Sequence, residues 1–122
     1  MLRAWDFNAA TNQFAPDANQ GTLPAPYFPG GALAVSANGN RAGIVWGIAA
    51  TTDSVPGQGA LYAFAAANVS KQLWVSADYW FSAKFAVPTI ANGKVYVPAS
   101  ESAASASRSA PPQLRVYGLT TK

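Results

Sequence analysis

Leu61-Tyr62-Ala63-Phe64-Ala65 is the middle copy of a pattern that this chain states three times. Leu2-Arg3-Ala4-Trp5-Asp6 and Leu114-Arg115-Val116-Tyr117-Gly118 keep the same order: Leu, a larger residue, a small apolar residue, an aromatic, then a small or acidic residue. The copies recur about every 50 to 60 residues, the spacing of a repeat built from several short strands. A second pattern interleaves with the first. Ser36-Ala37-Asn38-Gly39 is answered by Ile90-Ala91-Asn92-Gly93, and each is followed by an apolar strand, through Ile44-Val45-Trp46 or Val95-Tyr96-Val97. An Asn-Gly pair between apolar strands signals a tight hairpin, because both residues tolerate the positive φ of a type I′ turn.

The rest of the chain agrees with strands. Nine Pro and ten Gly leave few windows long enough for a helix. Short apolar runs bounded by turn residues remain, at Leu2–Asp6, around Phe14, Ala32–Ser36, Gly43–Ala49, Ala60–Phe64, Gln72–Val75, Phe85–Ile90, Lys94–Pro98 and Gln113–Tyr117. Ala15–Gly31, with four prolines, and the Ser/Ala tract Glu101–Pro112 are expected to be loops. The unit is thus strand, Asn-Gly turn, strand, loop, Leu–aromatic strand, final strand, which is a four-stranded antiparallel blade. The expected fold is all-β, with antiparallel four-stranded blades of a partial β-propeller, about 2.5 blades in one domain. Residues 1–15 are expected to end one blade, 29–77 to make a complete one, and 85–119 to make a blade lacking its last strand.

Composition narrows the classes of function. Only 11% of residues are charged, against about 25% in an average soluble domain, which leaves much neutral surface available for burial against another chain. The net charge of +3 comes from basic residues scattered singly, unlike the clustered, aromatic-interleaved patch of a nucleic-acid groove. With no Cys and no His, disulfides, Cys/His zinc sites, His-based triads and Cys nucleophiles are excluded. Met1-Leu2-Arg3 enters a strand-like segment without an apolar signal region. No stretch approaches the roughly 18 apolar residues of a membrane span. No nucleic-acid or membrane partner and no metal are expected.

Gly59–Trp74, Lys84–Val97 and Leu114–Leu119 resemble the C-terminal blades of bacterial propellers with pyrroloquinoline-quinone-type repeats. The similarity is to a secreted branch of that family rather than to its dehydrogenases, and it runs over nearly the whole chain from Leu2. It implies a ring of several blades, of which this chain holds too few to close one alone, and a secreted or periplasmic parent. The family's repeat often ends in a motif of Ala, Asp, a Thr-Gly-Lys turn and a docking Trp. Ala63, Lys71 and Trp74 match it with one extra residue before Lys71, while Ala65 stands at the Asp position and Asn68-Val69-Ser70 at the turn. The resemblance implies that Trp74 docks between blades. It does not extend to the quinone site, since the chain has no Cys and its single Glu, Glu101, lies in the Ser/Ala tract. No cofactor is expected.

Other chemistry finds little support. Without His, a Ser nucleophile needs Lys or a carboxylate as its base, and Ser82-Ala83-Lys84 is the nearest such pair. Asp53 and Asp78 fall in separate loops with nothing to orient them across a substrate. The richest aromatic stretch is Trp74, Tyr79, Trp80, Phe81 and Phe85. Trp74, Tyr79, Trp80, Phe81 and Lys84 are the candidate ligand-binding residues, for a carbohydrate or other small molecule stacked on the rings. The competing reading makes the same rings the apolar sandwich between blades. Both blade faces need cover and open sheet edges invite pairing, so the chain is expected to be a homo-oligomer: a non-catalytic scaffold or binding module associating through blade faces and edge strands. The N-terminal strands Leu2–Phe14 are expected to complete the last blade, in the next copy or within the same chain. The alternative function is a small hydrolase-like enzyme with a pocket between blades or subunits.

Overall fold

A computed structural model describes residues 1–24, 31–50, 58–78, 80–82, 86–100 and 112–118. Every helix or strand among them is a strand. The strands are β1 (Leu2–Ala4), β2 (Phe7–Asn8), β3 (Gln13–Phe14), β4 (Asn19–Gly21), β5 (Ala32–Asn38), β6 (Arg41–Ala50), β7 (Gln58–Ala65), β8 (Asn68–Val75), β9 (Trp80–Ser82), β10 (Thr89–Ala91), β11 (Lys94–Ser100) and β12 (Pro112–Gly118). The protein is all-β, and its sheets are antiparallel.

Two meanders organise the chain. β5, β6, β7 and β8 pair in order, and β10, β11 and β12 do the same. β9 ties them together at one end, pairing with the start of β7 through Gln58 and Gly59 and with the end of β11 through Ala99 and Ser100. The meanders meet face to face: Ile48 and Leu61 of the first pack with Trp80, Val95, Val97 and Ala99. The opposite face of the first meander is covered by the N-terminal segment, where Leu2 and Leu23 pack with Ala49, Ala60, Tyr62, Phe64 and Val69. Three layers therefore stack in chain order, with β5–β8 in the middle.

β7 is buried on both sides, and its sequence is written accordingly. Gly59 to Phe64 is an unbroken apolar run, as expected of a strand with both faces covered. Alternation sends Ala60, Tyr62 and Phe64 towards the N-terminal layer and Leu61 towards β10–β12. Burying a side chain such as Phe64 or Leu61 contributes about 1.5–3 kcal/mol each.

The hairpins differ from each other. At β10–β11, Asn92 and Gly93 both take positive φ, 49° and 70°, as a type I′ turn requires. At β5–β6, Gly39 is positive (61°) but Asn38 is not. Asn38 instead pairs with Arg41, so the two-residue loop is Gly39-Asn40, with Gly first as in a type II′ turn. The register then shifts between Ser36 and Asn38, opposite Ala42, which carries a left-handed φ of 52°.

Three further differences concern which segments are strands and what they pair with. Asn19–Gly21, inside the expected loop Ala15–Gly31, is β4, and it pairs with β1. Gly21 lies so close to β8 that a Cβ there would stand 2.3 Å from the Val69 carbonyl oxygen. Trp80–Ser82, also not expected as a strand, is β9. Finally, β1 pairs with β4, and β2 with β3. The N-terminal strands form a layer of their own and do not complete the β10–β12 sheet within the chain. Most of the Ser/Ala tract lies outside the described residues, and β12 begins at its last residue, Pro112.

Candidate functional site

Where β8 ends, the chain is clamped to β7. Ser76 N donates to the Leu61 carbonyl at 2.9 Å, and Leu61 N donates to Ser76 Oγ at 3.2 Å. The same hydroxyl donates to the Asp78 carbonyl at 3.1 Å. Ser76 is a buried polar side chain, and these bonds satisfy it. Their effect is to fix the turn that presents Asp78 to β12.

On β12, Arg115 and Tyr117 are two residues apart and so share a face. Arg115 Nη1 forms an ion pair with Asp78 Oδ2. The Tyr117 hydroxyl donates to Asp78 Oδ1 at 3.2 Å. Beneath them, the Arg115 guanidinium carbon lies 5.6 Å from the centroid of the Trp80 ring, within cation–π range. Tyr117 touches two indoles, Trp80 at 5.9 Å and Trp74 edge-on at 5.5 Å. Burial, the Asp78 charge and the bond to Asp78 push the Tyr117 phenol up to about 12, with Arg115 opposing.

This cluster lies at the seam of the two meanders. It brings together Trp74 and Trp80 of the expected ligand-binding residues. Phe81 is half-buried on β9, where it pairs with Gln58 and Ser100. Tyr79, Lys84, Phe85, Asp53 and Glu101 lie outside the described residues. In the sequence, Asp78 stands in a loop with nothing to orient it, and Arg115 and Tyr117 appear only as members of the repeat. Their signal was present in the repeat, whose second and fourth positions must share a strand face.

The chemistry available here is that of a fastener. Asp78 is neutralised by Arg115 and accepts from Tyr117, so its carboxylate is not an unengaged base. Tyr117 stays protonated across the physiological range and acts as a donor. Two buried donors, Trp80 Nε1 and Arg115 Nε, have no acceptor among the described residues. No group of His, Cys, Asp and Glu among the described residues could hold a metal ion, and no described helix is long and apolar enough to cross a membrane.

A second feature is an open hollow of about 390 Å³ over the β2–β3 hairpin. The Phe7 and Phe14 rings stand 5.1 Å apart there, both exposed, beside Asn8, Thr11 and Gln13.

The chain has no significant match to any protein-family model, curated protein or solved structure.

Proposed function

We propose that this chain is a partial β-propeller of the pyrroloquinoline-quinone-type repeat class, acting as a non-catalytic scaffold or binding module that associates with copies of itself. Each meander is a blade in this reading, and blade faces with neighbouring edge strands form the contact between copies. The Asp78–Arg115–Tyr117 cluster locks one blade to the next and is not a reaction centre.

One comparison carries the reading. Leu61-Tyr62-Ala63-Phe64 on β7 and Leu114-Arg115-Val116-Tyr117 on β12 are two copies of one pattern. In both, the second and fourth residues face what precedes them: Tyr62 and Phe64 meet the N-terminal layer, Tyr117 meets Trp74 of β8, and Arg115 meets Asp78 just after β8. The first and third residues differ in their fate. Leu61 and Ala63 are 0% and 2% exposed, whereas Leu114 and Val116 are 62% and 49% exposed.

β12 thus inverts the ordinary surface strand, which turns its apolar residues inward and its polar ones to water. It holds Gln113 and Arg115 on the partly buried side and gives solvent Leu114 and Val116. Tyr96 and Pro98, opposite Val116 and Leu114 on β11, extend the same face. A contiguous apolar sheet face of this kind marks an interaction surface.

The test is to place charge on it. Leu114→Asp combined with Val116→Asp should convert a sedimenting multimer into a monomer with an unchanged far-ultraviolet circular dichroism spectrum. A double variant that sediments like the wild type would remove this face from the interface.

A further inference from the structure

The third copy of the pattern gives the association a direction. In Leu2-Arg3-Ala4-Trp5, Leu2 is buried against β5–β8 and Ala4 packs beside it. The first and third residues of this copy therefore face the following layer, as Leu61 and Ala63 do. Alternation along β1 turns Arg3, the second residue, away from that layer, while Trp5, the fourth, follows the end of the strand; both are exposed, Trp5 by 46%. In the other two copies those positions are occupied by Tyr62 and Phe64, or Arg115 and Tyr117, each set against the layer that precedes it.

The described molecule therefore has two unlike ends. One presents Arg3 and Trp5, the side that elsewhere meets a preceding layer. The other presents Leu114 and Val116, the side that elsewhere meets a following one. We infer that copies stack head to tail, the Arg3/Trp5 face of one seated on the Leu114/Val116 face of the next, continuing the layer-to-layer interface already formed twice inside the chain. This rests on the self-association proposed above and adds its polarity.

The internal precedent also says which residues meet. Trp5 corresponds to Tyr117, and Val116 to Ala63. Tyr117 lies 5.5 Å from Trp74, whose cross-strand partner on β7 is Ala63. Trp5 of one copy should accordingly lie beside Val116 of its neighbour. A contact of this kind uses different patches on the two copies, so it is heterologous. It propagates until it closes into a ring, or extends as a chain if the rotation does not close.

The absence of any native Cys makes the test direct. Trp5→Cys and Val116→Cys variants, both at exposed positions, are treated with a short bismaleimide separately and then as a mixture. The expected result is a cross-linked dimer in the mixture, containing one of each variant, and none in either variant alone. Cross-linking of V116C to itself or of W5C to itself, without the mixed product, would show a two-fold symmetric contact and overturn the polarity. A multimeric wild type with no product in any sample would overturn the Trp5–Val116 contact. If the untreated wild type is monomeric throughout, self-association itself fails, and the exposed faces belong to a different partner.

Discussion

The hydroxyl of Tyr117 and the carboxylate of Asp78 are joined by a 3.2 Å hydrogen bond across 39 residues of chain. It fastens β12 to the turn that follows β8, and Arg115 reinforces it from two residues away. Burial and the neighbouring carboxylate both favour the protonated phenol and push it up to about 12 from the ordinary 10.0 of a tyrosine. Because the folded value is raised, the stabilisation is fully present below pH 10. It is lost as the pH rises from about 10 to about 12.

Tyrosinate absorbance, taken as the difference between the wild type and Tyr117→Phe, should place the transition near pH 12. In Asp78→Asn the charge is gone, and the transition should move down towards 10 while burial still holds it higher. An unmoved transition in Asp78→Asn would show that the carboxylate does not act on the phenol.

The close approach of β4 to β8 depends on Gly21. A methyl group there meets the Val69 carbonyl oxygen at 2.3 Å, and backbone cannot swing aside as a side chain can. Gly21→Ala should cost about 1–3 kcal/mol in urea unfolding, the usual range for overpacking. Gly118→Ala is the control, since its methyl would meet only the Lys94 side chain at 3.4 Å. It should stay within about 0.5 kcal/mol of the wild type.

Phe64 is fully buried in the middle layer, so Phe64→Ala should cost about 3–5 kcal/mol. Phe14 is exposed on the β2–β3 hairpin, where its ring meets that of Phe7. Phe14→Ala should cost no more than about 1 kcal/mol. Comparable unfolding midpoints for the two variants would mean that the middle layer is not the core.

At the β10–β11 turn, Gly93 takes a φ of 70° with open space around it. Gly93→Ala should therefore lose about 1–2 kcal/mol through backbone strain alone. Asn92→Gly, at a φ of 49°, should be close to neutral by the same unfolding assay.

What the sequence made legible was local. The unbroken apolar run of β7 and the Asn92-Gly93 hairpin both sit within a few residues of their own cause. Asn19-Gln20-Gly21 was not legible as a strand, because no apolar residue marks it. Its conformation comes from pairing with Leu2–Ala4 and from the approach to Val69, both distant in the chain. The loop of the β5–β6 hairpin falls one residue beyond the Asn38-Gly39 dipeptide for a related reason: the pairing of Asn38 with Arg41 sets the turn.

The candidate site was legible by half. Trp74 and Trp80 stand out as rings in an aromatic stretch, but their meeting point is Tyr117, whose partner Asp78 lies in another segment altogether. Within β12, the sequence Leu114-Arg115-Val116-Tyr117 fixes which residues share a face. Which of the two faces turns inward is decided by the ion pair to Asp78 and by the Trp80 surface, and no local pattern encodes either.

The central claim is that the apolar face of β12 is covered by another copy, and absolute mass in solution tests it most directly. Light scattering behind a sizing column should return a mass above the 12.7 kDa of one chain, a discrete multiple for a closed ring or a concentration-dependent distribution for an open chain. A mass of 12.7 kDa at every concentration would contradict the account.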